Sequence, residues 1–159
     1  MRATAPSPLP RAPRPAPSYR RLLVPLSGPE SERVVAIACE LAAEHGASVT
    51  AIRVIEMPVE LPLDAHMPEE EEEARRVLAE TQGVGDLYGL TVSARVIRAR
   101  SAGPAIVEEA VAARTEIIVL RAPRKTRASR SAPIFGKTVN YVLTHAPCRV
   151  MVVAAPAGP

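Results

Sequence analysis

Apolar residues follow two alternating rhythms along the chain: short unbroken runs, and longer stretches in which they recur every third or fourth position. The first rhythm marks strands buried on both faces, the second helices with one face in a core. Arg20 to Leu26 reads as a strand, closed by the turn Ser27-Gly28-Pro29. From Glu30 to His45, Val34, Ile37, Ala38, Leu41 and Ala42 share a helical face, and Gly46 ends the pattern as a cap. Ser48 to Ile55 is β-branched and predicts a second strand, followed by a Pro-rich breaker from Met57 to Pro68. A helix from Glu69 to Tyr88 should turn Ala74, Val77, Leu78 and Thr81 inward. Gly83 and Gly85 weaken its last turns by about 1 kcal/mol each relative to Ala.

Thr91 to Ala99 predicts a third strand. Ser101-Ala102-Gly103-Pro104 opens a helix with Pro in its first turn, and Ile106, Val107, Ala110 and Val111 are expected inside. Thr115 to Leu120 is the most apolar strand and is expected to be central. A basic loop from Arg121 to Pro133 leads to a last helix from Phe135 to His145, burying Val139, Val142 and Leu143. Cys148 to Val153 forms the final strand. Strands alternating with helices imply right-handed crossovers and an open, five-stranded parallel sheet covered by helices on both faces, an α/β, Rossmann-like fold. Ligands of such sheets bind beyond the carboxyl ends of the strands, where strand order reverses. That rule gathers Leu26-Ser27-Gly28, Val54-Ile55 and Arg121 onward.

Length and composition narrow the picture. The 159 residues suffice for one domain, expected over residues 19–154. Proline recurs every two or three residues through 1–18, which predicts a disordered tail; residues 155–159 read as a short flexible C-terminus. Aromatics are only 3% of the chain, too few for a base-stacking platform, and the net charge of +3 is too small to imply nucleic-acid binding. Neither a membrane span nor a signal peptide is visible, so the cytoplasm is the expected compartment. Cys39 and Cys148 lack metal-ligand spacing and read as buried, reduced thiols.

Chemistry concentrates in the basic loop. Arg121, Arg124, Lys125, Arg127 and Arg130 repel one another unless an anion gathers them, and the amides of Gly136, Lys137 and Thr138 could complete a phosphate cradle. A phosphorylated ligand or an acidic protein partner would suit such a site; a solvated loop is the plainer reading. Gly136-Lys137-Thr138 also matches the end of a P-loop, but Ser131 replaces its opening glycine and Pro133 lies inside the turn. His45, His66 and His145 have no second ligand at zinc or triad spacing, and Ser27, Ser129 and Ser131 have no positioned base. The Glu69–Glu73 run reads as a solvated helix start and not a metal site. No catalytic or metal-binding constellation is evident, and the protein is expected not to be an enzyme.

The strand Leu22-Leu23-Val24-Pro25-Leu26, the helix after it, and the closing segment Tyr141-Val142-Leu143-Thr144-His145-Ala146-Pro147-Cys148-Arg149-Val150-Met151-Val152-Val153 resemble the universal stress protein family across 19–154. The resemblance is nearest to the stress-protein-like domains associated with amino-acid permeases. It implies strand order 3-2-1-4-5, an adenine nucleotide alpha hydrolase-like sheet, and a nucleotide site at Leu26, Ser27, Val54, Arg121, Arg124, Lys125, Arg127, Gly136, Lys137 and Thr138. Nucleotide-binding members carry Gly-x2-Gly-x9-Gly-Ser/Thr after the fourth strand. Here Arg121 and Arg124 occupy the first two glycine positions, Gly136 follows after eleven residues, and Ser27 stands for the acid expected after the first strand. The family pattern thus implies a regulatory or interaction domain with weak or lost ATP binding; an ATP, other adenine-nucleotide or phosphate-anion binder using the Arg-rich loop is the alternative. It also implies a homodimer through Arg149, Val150, Met151, Val152 and Val153, and an acidic protein or transporter as further partner.

Overall fold

The structure, a computed structural model, describes residues 19–28, 31–123 and 136–154. The tail expected at 1–18, the C-terminal 155–159 and most of the basic loop lie outside the described residues. Nine elements alternate: β1 (Arg21–Leu26), α1 (Glu32–His45), β2 (Ser48–Glu56), α2 (Pro68–Leu87), β3 (Ser93–Ala99), α3 (Ala102–Ala112), β4 (Ile117–Arg121), α4 (Gly136–His145) and β5 (Arg149–Val153). The sheet is all parallel, in the order β3-β2-β1-β4-β5. Each element matches its predicted position within a few residues. The central strand is β1, however, and not the more apolar β4. Both are interior strands and both are buried on two faces, so apolar content alone does not rank them.

Two apolar layers flank the sheet. Val34, Val35, Ala38, Cys39, Ala42, Val77 and Leu78 of α1 and α2 pack on Leu22, Val24, Val49 and Ala51. On the other face, Ile106, Ala110, Val139 and Val142 of α3 and α4 pack on Leu23, Ile52, Ile118 and Leu120. Two helical positions depart from the periodicity. Val111 is 60% exposed and Leu143 is 43% exposed, although both are expected inside. Glu109 takes a buried position on α3, because Arg95 of β3 pairs with its carboxylate. That pairing lets α3 turn a charged residue inward and Val111 outward.

Gly85 explains why α2 runs on to Leu87 through two glycines. A Cβ there would lie 2.5 Å from Val92 Cγ2 and 3.1 Å from the Leu90 carbonyl, so only glycine lets the chain fold back closely into β3.

Pro25 opens the sheet. β1 pairs with β2 along its whole length, but with β4 only at Leu22 and Leu23. The Arg21 carbonyl accepts from the Glu116 amide beside β4, and main-chain groups alternate sides along a strand, so position 25 faces β4. A proline has no N–H to continue that ladder. The two strands therefore part beyond Leu23, and the crevice begins there.

Candidate functional site

The crevice is an open cleft of about 540 Å³ at the carboxyl ends of β1, β2 and β4. Leu26, Val54, Ile106, Leu120 and Val139 make its apolar part. Leu26, Ser27, Val54, Arg121, Gly136, Lys137 and Thr138, all expected at the site, line this one cleft. Arg124, Lys125 and Arg127 lie outside the described residues. The switch-point rule thus brings together residues separated by more than a hundred positions.

Each wall has a local cause. Gly136 begins α4 at φ +71°, a backbone conformation that costs L-residues energy, and a Cβ there would sit 3.4 Å from Pro123 Cγ. Glycine therefore lets the chain leave β4, pass Pro123 and enter the helix along the cleft. The first-turn amides of α4 have no partners within the helix, and its positive end favours an anion alongside Lys137 and Thr138. Among the described residues, Lys137 has no carboxylate within ion-pair distance.

The opposite wall carries residues that sequence reasoning misses: Arg53, Glu56, Met67 and Glu70. Arg53 Nη1 donates to the Leu26 carbonyl at 3.0 Å, and Nη2 lies 4.0 Å from Glu73. Glu56 accepts from the Ala102 amide at 3.2 Å, capping α3 with a carboxylate. Met67 comes from the connection between β2 and α2, which arginines hold down. Arg98 donates to the Ala65 carbonyl and the Glu71 carboxylate; Arg100 donates to the Pro58 carbonyl and, at 2.7 Å, to that of Leu61. The Met67 amide and the Arg98 guanidinium hold the Glu71 carboxyl below the ordinary carboxylate range. The one advance signal for this wall is the breaker beginning at Met57, directly beyond Glu56.

Other candidates stay outside the cleft. His45 and His145 cap their helices through Leu41 and Tyr141 carbonyls, and His66 lies 3.8 Å from Glu71. Cys39 is buried, Cys148 is half-buried, and both thiols are free. Burial pushes both up, away from reactive thiolate character. No group of three or more His, Cys, Asp or Glu suited to a metal occurs among the described residues, and no described helix is long and apolar enough to cross a membrane.

Comparison with known proteins gives a consistent placement. The model of the Universal stress protein family matches residues 18–154. The fold is similar to a universal stress protein from Archaeoglobus fulgidus, with a TM-score of 0.71 and 20% identity, covering 84% of this chain and 98% of that one. UspA from Lactobacillus plantarum matches with a TM-score of 0.66 and 22% identity, covering 86% of this chain and 99% of that one. A universal stress protein in complex with cAMP matches with a TM-score of 0.67 and 20% identity, covering 87% of this chain and 98% of that one. No curated protein sequence matches.

Proposed function

The chain belongs to the universal stress protein family, and on that premise we propose that it is a non-enzymatic regulatory domain whose cleft holds a phosphorylated small molecule of the adenine-nucleotide class. The observation that carries this reading is the 540 Å³ cleft, apolar on one side, with Arg121, Lys137, Thr138 and the start of α4 on another. Apolar surface suits a base, and the cationic helix start suits a phosphate. Similar structures hold dAMP and cAMP, which supports the same ligand class here.

Affinity for ATP is weak in this reading. Arg121 stands where glycine-loop members bring bare backbone amides to the phosphates, and Ser27 offers no carboxylate to a ribose. The domain acts in the cytoplasm as a dimer through β5, an edge strand whose Val150, Met151, Val152 and Val153 are half-buried. An acidic protein or a transporter is the partner class that the basic loop suits.

Thermal melts with millimolar AMP, ADP and ATP, at low and moderate salt, test the reading. A ligand at about 100 times its dissociation constant adds about 2.7 kcal/mol, a shift of a few degrees at this size. A salt-resistant shift with AMP or ADP, with the nucleotide recovered intact and dimer mass by light scattering, is expected. No shift, an equal shift from any polyanion, nucleotide hydrolysis, or a monomer would each refute its part of the proposal.

A further inference from the structure

A second groove, of about 570 Å³, runs beside the first, between the start of α3 and the outer side of α4. Glu56, Lys137 and Thr138 line both grooves, so the two are continuous. The second groove is polar where the first is apolar: Arg100, Ser101, Asn140, Tyr141 and Thr144 make its walls.

Three observations suit the junction to phosphate. Helices α3 and α4 both begin there, so two positive helix ends converge on it. Lys137 reaches both grooves and has no carboxylate partner among the described residues. Arg100 uses only Nη1 on the Met57, Pro58 and Leu61 carbonyls; among the described residues its Nε and Nη2 donate to nothing. Beyond the junction, the Asn140 carboxamide and the Ser101 and Thr144 hydroxyls supply the mixed donors and acceptors that a second base or ribose requires.

We propose that the two grooves form one bipartite site for a dinucleotide, with two nucleoside halves joined through a phosphate bridge that crosses Lys137 and Thr138. This rests on the reading of the first groove as a nucleotide cleft. One nucleoside sits in the apolar groove and the other against α4, and the bridge lies over the two helix starts. Joining both halves makes the second contact intramolecular, which raises affinity without strengthening either half alone.

Calorimetric titration of the full chain with AMP, adenosine tetraphosphate and diadenosine tetraphosphate tests this. Diadenosine tetraphosphate should bind about tenfold or more tighter than adenosine tetraphosphate, which has the same phosphate chain and one nucleoside. Thr144→Trp, at an exposed helical position, should fill the second groove, erase that gap and leave AMP affinity unchanged. Equal affinities in the native chain, or a gap that survives in folded Thr144→Trp, would overturn the bipartite site while leaving the nucleotide cleft intact. No binding of any probe would overturn both, and the native-chain comparison stands even if the variant does not fold.

Discussion

The connection after β2 and the start of α4 after β4 border the same cleft and both carry charge, but they spend it differently. On the β2 side, Arg98 and Arg100 donate to the carbonyls of Pro58, Leu61 and Ala65 and to Glu71, Glu56 caps α3, and Arg53 holds the Leu26 carbonyl. These groups are largely spent on the fold. On the β4 side, Lys137 meets no carboxylate among the described residues and stands beside a helix start. A charged residue is a candidate for ligand binding only to the extent that the fold has not already neutralised it, and that property is invisible in composition.

Arg98→Ala attacks the committed side and carries the largest expected effect. It strips one partner from Glu71 and one from the Ala65 carbonyl, so the melting temperature should fall by several degrees. Hydrogen exchange of residues 57–67 should speed by about tenfold, the scale of one charge-assisted hydrogen bond. Unchanged exchange there would mean that the arginines do not hold this connection down. Lys137→Gln attacks the uncommitted side: nucleotide affinity should drop about tenfold, the scale of one charge-assisted contact, while the melting temperature of the free protein holds. A destabilised protein with unchanged affinity would reverse the contrast.

Acid gives the smallest and most local effect. Glu71 titrates below the ordinary carboxylate range in the folded protein, chiefly through the Met67 amide and then Arg98. The stability it contributes is therefore complete above the ordinary carboxylate range and is lost as pH falls through its lowered value. Acid titration followed by NMR should move the Met67 amide before the Lys137 amide. Simultaneous movement would show that the two walls do not open independently.

The elements, their order and the inner faces of α1 and α2 are legible in the sequence because periodicity and turn residues act over a few positions. Half of the cleft is legible for a related reason. Leu26, Ser27, Val54 and Arg121 lie at strand ends, which the switch-point rule places together once strands and order are known. Pro25 is also visible, yet what it does depends on which neighbour its missing donor faces. The exposure of Val111 could not be read from α3, since it follows from Arg95 meeting Glu109 across fourteen positions. The missed wall has the same character: Arg98 meets Glu71 across 27 positions, and Arg100 meets Leu61 across 39.

By itself, then, the sequence determined an alternating α/β chain, a parallel sheet and the end of that sheet where chemistry belongs, because hydrophobic period and chain reversal are encoded locally. Only the tertiary structure decided which charges are consumed inside the fold, which face the cleft, and that a second polar groove adjoins it. Ion pairing and groove shape depend on distances between segments far apart in the chain, and those distances exist only after the sheet has assembled.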